Sequence, residues 1–248
     1  MGANHEGRWA VTISVLSYNI HWGLSAFKKI NVTQSLSTFI HKAKPDVILL
    51  QELWLPKGEL EYLIAETLRE VWPHQICVAT CLLPLGNQGN GILSRHEILN
   101  WKHIDLSYSA HQSRSFVHAR LWIEDEQKVL SLICTHFGLK RSERQFQAVV
   151  LADYIQNEID KNEAVVLGGD FNDWRGEITQ FFKTRVGLSE VFKETYGRHA
   201  KSYPAVKPLF ALDRMYVRGL EFEKPRVLKD AGWRGSSDHL PLAVDLRF

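Results

Sequence analysis

The stretch VVLGGDFNDW, residues 165–174, joins a continuous apolar run directly to a cluster of polar side chains. Such a run is typical of a β-strand that is covered on both faces. Asp170 and Asn172 are two residues apart, so an extended chain places both on one side and turns Phe171 into the core. By the same argument Asp173 points the other way, and we expect it to cap the turn that follows. The stretch predicts a buried strand that holds an acid and an amide rigidly at its end.

Similar apolar runs recur along the chain and alternate with helical patterns. They predict strands at residues 9–19, 46–52, 74–83, 89–95, 115–124, 128–136, 164–170, 210–217 and 240–248, and helices at residues 33–43, 58–70 and 142–160. Helices that cover both faces of a mixed sheet imply an α/β sandwich. No repeat, linker or low-complexity segment interrupts residues 1–248, which predicts a single domain.

The helix at residues 142–160 has the clearest pattern of the three. Ser142 followed by Gln145 resembles a capping box, which marks a helix start. The pattern also predicts that one apolar face of the helix packs on the sheet. That face consists of Phe146, Val149, Val150 and Tyr154.

Composition gives no support to a zinc site or to a nucleic-acid binder without sequence preference. The net charge of +2 and the hydrophobic share of 45% are ordinary for a soluble globular protein. A protein that binds nucleic acid without sequence preference is usually more basic. Three cysteines lack the paired spacing of a zinc site, so we interpret Cys77, Cys81 and Cys134 as small buried side chains in a reducing compartment.

The sequence also lacks the signals that would direct it to a membrane. It has no secretory signal pattern and no apolar run long enough to span a bilayer, and no amphipathic basic helix or long apolar hairpin argues for a membrane anchor. Gly2 fits a myristoylation motif, but Glu6 stands where that motif needs Ser or Thr. We expect a cytoplasmic monomer.

Polar residues end one apolar run after another. They are Asn19, Glu52, His136, Asp170 with Asn172, and the pair Asp238 and His239 that precedes the last run. Taken singly, each is an ordinary turn former, surface residue or hydrogen-bonded histidine. Together they are the set that metal-assisted attack on phosphorus requires. Mg²⁺ takes oxygen ligands, a water nucleophile needs a carboxylate and an amide, and imidazoles donate to phosphate oxygens.

Seven motifs carry a resemblance to a known family. In chain order they are LSYNIHWG, PDVILLQE, GNGILSR, ICTHFG, LGGDFND, LDRMYV and SDHLPL, and they span residues 16 to 242. This ordered set resembles the endonuclease/exonuclease/phosphatase superfamily, which includes pancreatic-type deoxyribonucleases, apurinic endonucleases, inositol-polyphosphate 5-phosphatases and neutral sphingomyelinases. The resemblance implies a four-layer α/β sandwich with two packed mixed sheets. It also implies Mg²⁺-dependent cleavage of a phosphate ester, with Mn²⁺ as a possible substitute.

The resemblance further implies a role for each motif residue. Glu52 would be the principal metal ligand, and Asn19 and Asp238 would complete the metal site. Asp170 would activate the attacking water, and Asn172 would position it. The remaining roles concern the phosphate: His239 would contact it while Asp213 holds the ring, and His136 would donate to it or help protonate the leaving group.

Asp213 is an acid inside an otherwise apolar run, which is costly unless the carboxylate is paired. The sequence leaves two partners open, the neighbouring Arg214 and His239. The partnership with His239 explains the burial better.

The substrate is less sharply predicted. The chain reads THFGLKRS where apurinic endonucleases usually carry a Tyr and a Pro-Asn pair, which disfavours abasic-site repair. Among the basic residues near the motifs, we expect Arg114 to contact a substrate phosphate; the others are Arg95, Lys140, Arg141, Arg144, Arg175 and Arg234. Four tryptophans near the motifs could form a rim that stacks bases or seats a lipid headgroup, namely Trp22, Trp54, Trp174 and Trp233.

We therefore favour a phosphodiesterase acting on a lipid headgroup or another small phosphodiester. An endonuclease or exonuclease acting on DNA or RNA is the alternative. A phosphomonoesterase and a non-catalytic binding module are less favoured, the latter because every expected ligand position is present.

Overall fold

Within residues 12–25, 30–59, 61–109 and 113–248, which the computed structural model describes, twelve strands form two mixed six-stranded sheets. The first sheet has the order β11-β12-β1-β2-β4-β3, with β1 at Ile13–Asn19, β2 at Val47–Pro56, β3 at His74–Leu83, β4 at Gly86–Ser94, β11 at Glu221–Val227 and β12 at Leu242–Arg247. The second has the order β5-β6-β7-β8-β10-β9, with β5 at Ile98–Asp105, β6 at Ser115–Ile123, β7 at Lys128–His136, β8 at Ala164–Asp170, β9 at Ser189–Glu190 and β10 at Asp213–Arg218. The pairs β1–β2 and β7–β8 are parallel.

Helices pack against both sheets, most of them on the outer faces. They are α1 (Thr33–Ala43), α2 (Leu63–Leu68), α3 (Arg141–Glu158), α4 (Glu177–Val186), α5 (Val191–Tyr196) and α6 (Ala231–Ser236). One apolar cluster lies between the sheets, a second between the first sheet and α1, α2 and α6, and a third between the second sheet and α3 and α4. Helix α5 contributes Val191 and Phe192 to the apolar cluster between the sheets. This arrangement confirms the four-layer α/β sandwich. None of the described helices is long and apolar enough to cross a bilayer.

Glycines allow the two sheets and two neighbouring strands to approach closely at β8. A Cβ on Gly168 would lie 2.6 Å from Leu49 Cδ1 and 3.3 Å from Ser17 Oγ of the first sheet. A Cβ on Gly169 would lie 2.0 Å from the carbonyl oxygen of Thr135 in β7. The two glycines that precede Asp170 are therefore required by packing, because any side chain there would displace a neighbour.

Eight of the strand predictions agree with the structure to within a few residues, and the ninth, at residues 9–19, begins outside the described residues. Gly2 and Glu6, on which the myristoylation motif depends, also lie outside them. The sequence missed β5, β9 and β11. Two of these are exposed edge strands with alternating or charged residues, and β9 has only two residues. The helix predicted at residues 58–70 is shorter, and the last three helices found in the structure were not predicted.

Two expectations about α3 were wrong. The helix begins one residue earlier, and it is Glu143 that caps it, by accepting a hydrogen bond from the backbone N–H of Lys140 at 3.2 Å. The predicted apolar face is turned partly outward, with Phe146 and Val149 exposed and Phe146 packed against Tyr108. The buried face consists of Ala148, Leu151, Ala152 and Ile155. These include small residues, which let the helix lie close to the sheet.

Candidate active site

Strand register brings the predicted polar residues together at one end of the sandwich. In the second sheet, Asp170 pairs with His136 of β7 on one side and with Asp213 of β10 on the other. In the first sheet, Asn19 ends β1 beside Gln51, the residue before Glu52. The two sheets therefore present their polar strand ends side by side.

The backbone bends sharply at the residues that face this site. Glu52 has a φ of 55° and Asn172 a φ of 47°, and both lie in the left-handed region that non-glycine residues rarely adopt. Glu52 also lies where the register between β2 and β4 shifts, which marks a β-bulge. Asn172 is thus not in extended conformation, so the expectation that an extended chain aims it beside Asp170 was wrong. The left-handed turn aims its amide at the site.

Phe171 and Asp173 follow the expected pattern. Phe171 is fully buried and packs edge-to-face on Phe137 and Tyr216. Asp173 is buried away from the polar cluster, and its Oδ2 accepts a hydrogen bond from the backbone N–H of Ile178 at 3.1 Å. Asp173 therefore stabilises the turn into α4 and does not face the site.

Asn19 links two carboxylates at the centre of the site. Its Nδ2 donates to Glu52 Oε1 at 3.2 Å and to Asp170 Oδ2 at 3.1 Å, while its Oδ1 accepts from the backbone N–H of His21 at 3.0 Å. Asp238 lies at the mouth, with its Oδ1 3.8 Å from Nδ1 of His21. Burial raises the pKa of Glu52 to about 7, although the hydrogen bond from Asn19 opposes this, and the charges of Asp170 and Asp238 add to the rise.

This set of donors fits a hard divalent cation. Glu52, Asp170 and Asp238 offer carboxylate oxygens, which Mg²⁺ and Mn²⁺ prefer as ligands, and Asn19 orients two of these carboxylates through its Nδ2. Desolvated carboxylates that repel one another are stabilised when a cation binds between them. The three carboxylates could hold such a metal.

A second grouping of possible ligand atoms overlaps with the first. Atoms of Asp170, Asp213 and His239 lie within 4.8 Å of one another. However, Asp213 Oδ2 and His239 Nδ1 are already 2.8 Å apart and share a hydrogen bond. We therefore treat these two residues as a carboxylate–imidazole pair and keep Asp170 among the possible metal ligands.

The structure decides between the two possible partners of Asp213. The Arg214 guanidinium donates to the backbone carbonyls of Ala211, Asp213 and Asp173, whereas the Asp213 carboxylate binds His239 and accepts from Ser202 Oγ. Burial alone would lower the pKa of His239, but Asp213 and Asp170 outweigh it and raise that pKa above its usual value. The imidazole is therefore held in its charged form, with Nε2 3.7 Å from Asp170 Oδ2.

His136 lies on the other side of Asp170 and has the opposite charge preference. Its Nε2 is 3.6 Å from Asp170 Oδ2, 3.9 Å from Glu52 Oε1 and 3.3 Å from Asn172 Nδ2. Burial, reinforced by the charge of Arg114, lowers the pKa of His136 to about 3. The site thus holds one neutral and one charged imidazole on either side of the same carboxylate.

Arg114 is buried, and its guanidinium has no partner among the described residues. Its side chain makes no hydrogen bond with any residue that the structure describes, and Nε is fully enclosed. Burial lowers the pKa of Arg114, while the charges of Glu52 and Asp170 raise it. A buried guanidinium that lies near carboxylates without contacting them can bind an anion that enters between the guanidinium and the carboxylates.

The other basic residues near the motifs do not join the site. Arg95 contacts Asp46 and Trp72, Arg141 pairs with Glu177, and Arg144 and Arg234 donate to backbone carbonyls. Lys140 and Arg175 are exposed.

Three of the four tryptophans lie near the site, and the fourth does not. Trp22 and Trp54 pack together with ring centroids 5.2 Å apart, and Trp174 packs against Phe210. Trp233 is buried in the core against Tyr18. The expectation that Trp233 forms part of a rim was therefore wrong. Trp233 lies six residues before His239, within α6, and that helix turns its ring into the apolar layer on the first sheet.

Sequence reasoning missed several polar residues that support the site. Ser202 contacts Asp213, Ser237 Oγ donates to the backbone carbonyl of Asn19 at 2.8 Å, and the ring of Tyr203 lies 4.9 Å from that of His239. Asn90 donates to the carbonyl of Ser115, next to Arg114, at 3.1 Å. Asn90 and Ser237 lie inside quoted motifs and could have been found there, whereas Ser202 and Tyr203 lie in a loop with no local signal.

With this geometry established, the family can be assigned. Residues 16–239 match the model of the Endonuclease/Exonuclease/phosphatase family, so the chain belongs to this family. Its members are generally metal-dependent phosphoesterases.

Relatives and solved structures agree with this assignment. The uncharacterised protein YbhP of Escherichia coli is 31% identical, over 95% of this chain and 96% of its own length. An endonuclease/exonuclease/phosphatase from Beutenbergia cavernae superposes with a TM-score of 0.79 at 18% identity, over 96% of this chain and 72% of that one. D. rerio TDP2 complexed with a single-strand DNA product gives a TM-score of 0.74 at 18% identity, over 96% and 99% of the two chains.

Proposed function

We propose that this protein is a Mg²⁺-dependent phosphodiester hydrolase whose substrate carries a lipid headgroup or another small phosphodiester. The observation that carries the proposal is the arrangement around Asp170. A carboxylate linked through Asn19 to Glu52 lies between a neutral imidazole, His136, and a charged one, His239. Metal-assisted attack of water on phosphorus needs groups of these kinds within reach of one phosphate.

Glu52, Asp170 and Asp238 would hold the metal through their carboxylate oxygens, and Asn19 would complete the site by orienting Glu52 and Asp170. The bound cation would neutralise phosphate oxygens and the charge that develops on the leaving oxygen. Every other step can be assigned to side chains of this chain.

Asp170 and Asn172 would act on the attacking water. The Asp170 carboxylate would accept a proton from the water, and the Asn172 amide would orient it. Asn172 is fixed for this role, because its Nδ2 also donates to the carbonyl of Phe137 at 3.0 Å. Because the amide is already held in place, it loses no conformational entropy when it orients the water for attack.

His239 and Arg114 would stabilise the phosphate. Asp213 keeps His239 protonated and fixes the ring through Nδ1, which leaves Nε2–H to donate to a phosphate oxygen. The guanidinium fork of Arg114 would bind a second oxygen. His136 is neutral, so it would donate one hydrogen bond to the phosphate or relay a proton to the leaving group.

A nuclease is the second candidate. The neighbouring rings of Trp22 and Trp54 near Glu52 could hold unstacked bases, and the solved TDP2 complex contains single-strand DNA on the same fold. Against it stand the net charge of only +2 and the ion pairs or backbone contacts that occupy Arg95, Arg141 and Arg144.

A Mg²⁺-dependent activity panel tests the proposal. Bis-p-nitrophenyl phosphate is compared with p-nitrophenyl phosphate, and plasmid DNA and single-stranded RNA are compared with sphingomyelin and phosphatidylglycerol. We expect the diester to be hydrolysed faster than the monoester, a lipid to be cleaved faster than either nucleic acid, and chelation to stop both reactions. A preference for the monoester would contradict the reaction class, and a preference for DNA or RNA would replace the lipid by the second candidate.

A further inference from the structure

The catalytic end of the sandwich carries an exposed apolar hairpin tip beside the site. The tip joins β3 to β4 and consists of residues 82–85, of sequence LLPL. Leu82 is 77% exposed and Leu85 is 79% exposed, and Pro84 between them is exposed as well. Large aliphatic side chains with this exposure cost free energy in water, and they are typical of surfaces that bind a partner.

The tip projects beyond the catalytic residues. The end of β4 at Gly86 pairs with Pro56 of β2, which lies four residues after Glu52. At about 3.3 Å per residue, the tip stands on the order of 13 Å further out than Glu52. Trp54 packs on Gly86 and against Trp22, with the two ring centroids 5.2 Å apart, so the apolar surface continues from the tip back to the site.

Two further groups of exposed apolar side chains lie at the same strand ends. Leu139 follows His136 by three residues and is exposed. Trp174 and Phe210 are exposed and pack together with centroids 4.9 Å apart, and Leu209 is exposed beside them. Apolar side chains from four separate segments therefore lie at the end of the sandwich that carries Asp170 and His239.

Each apolar group has a cation beside it. Lys57 lies next to the hairpin tip, since its backbone N–H donates to the carbonyl of Leu85 at 3.0 Å. Lys140 follows Leu139, Arg175 follows Trp174, and Lys207 lies two residues before Leu209. All four are exposed, and Lys57, Arg175 and Lys207 have no ion pair with any described residue. Alternating apolar and basic side chains are typical of surfaces that bind a bilayer. The apolar side chains insert among the acyl chains, and the basic side chains contact anionic headgroups.

We propose that this end of the molecule is a docking surface for an anionic lipid bilayer, which presents headgroups directly to the catalytic opening. A bilayer accommodates separate protrusions, because it offers acyl chains to the leucines and phosphates to the cations. Nucleic acid would satisfy the cations and could stack on the exposed rings of Trp174 and Phe210. It would leave Leu82 and Leu85 in water, since leucine side chains do not stack on bases as aromatic rings do. This inference deepens the proposed function and rests on it for the choice of a lipid substrate.

Vesicle flotation in the presence of a chelator tests the surface apart from catalysis. The full chain is mixed with vesicles of phosphatidylcholine alone or of equal parts phosphatidylcholine and phosphatidylglycerol. We expect binding to the anionic vesicles that weakens with added salt. The double variant Leu82→Ser/Leu85→Ser is expected to lower the affinity at least about tenfold, and Lys57→Gln and Lys207→Gln about fivefold each.

A matched control uses two equally apolar exposed residues elsewhere. Leu99→Ser/Trp101→Ser changes the half of β5 that is remote from His136, and it should leave vesicle binding unchanged. No binding by the wild-type chain, or equal losses in the tip and control variants, would overturn the docking surface.

Hydrolysis of soluble bis-p-nitrophenyl phosphate separates this inference from the proposed function. The tip variant should keep that activity while losing vesicle binding. A wild-type chain that hydrolyses the soluble diester but ignores vesicles defeats the docking surface alone. One that binds vesicles through the tip but hydrolyses no diester defeats the proposed hydrolase and leaves the surface intact.

Discussion

At the scale of single residues, the charge states of the site are set by neighbours that lie far apart in sequence. His136 and His239 are both buried, yet burial makes one neutral and the carboxylate of Asp213 keeps the other charged. Local sequence could identify both imidazoles, since each follows or precedes an apolar run. It could not assign their protonation, which depends on Arg114 and Asp213 being brought beside them by the fold.

The pair formed by Asp213 and His239 gives a prediction at this scale. Replacing His239 by Ala should lower kcat for a soluble diester by about a hundredfold or more, since a charged donor to the phosphate is lost. Asp213→Asn should also lower kcat. The double variant should be no slower than His239→Ala alone, because Asp213 acts only through His239 and its loss has no further effect once the imidazole is gone. Steady-state kinetics on folded variants measures this.

Asp173→Asn is the matched control for that experiment. Asp173 is as buried as Asp213 but binds the backbone of α4, so its replacement should affect stability and leave kcat near the wild-type value. Losses from His239→Ala and Asp213→Asn that multiply in the double variant would show that the two residues act independently.

At the scale of elements, β8 explains why two glycines precede Asp170. Gly168 faces the other sheet and Gly169 faces the backbone of β7, so the strand carrying Asp170 is tightly enclosed. Glycine in a strand is typical of a position that another group approaches closely. Which neighbour does so could not be predicted, because it depends on how the two sheets pack.

Alanine substitutions in β8 should separate these two contacts. A Cβ at position 169 meets a carbonyl oxygen that cannot move freely, whereas one at position 168 meets the end of the flexible Leu49 side chain. We expect Gly169→Ala to lower the free energy of unfolding by about 3 kcal/mol and Gly168→Ala by about 1 kcal/mol. Urea unfolding measures both.

Gly235→Ala serves as the control, since its Cβ would have no neighbour within 4 Å. It should be neutral or slightly stabilising, because alanine restricts the unfolded chain. Equal stability of all three variants would contradict the close packing at β8.

At the scale of the whole molecule, the layers and the nine long apolar strands followed from patterning, because buried strands have continuous apolar runs. Edge strands such as β11 were not predicted, because a strand with one open edge can carry charged residues such as Glu221 and Lys224 and then has no continuous apolar run. The candidate site was largely predictable from motifs. The hairpin tip was not, because Leu82 and Leu85 resemble core residues until the fold leaves them outside.

The central claim is that Glu52, at the bulge within β2, supports Mg²⁺-dependent hydrolysis of a phosphodiester. The most direct measurement compares the wild-type chain, Glu52→Gln and the exposed control Glu59→Gln in the hydrolysis of bis-p-nitrophenyl phosphate as Mg²⁺ is varied. We predict that Glu52→Gln loses activity by at least about a hundredfold and no longer gains thermal stability from Mg²⁺, while Glu59→Gln behaves as the wild type. Full Mg²⁺-dependent activity in a folded Glu52→Gln variant would contradict the account.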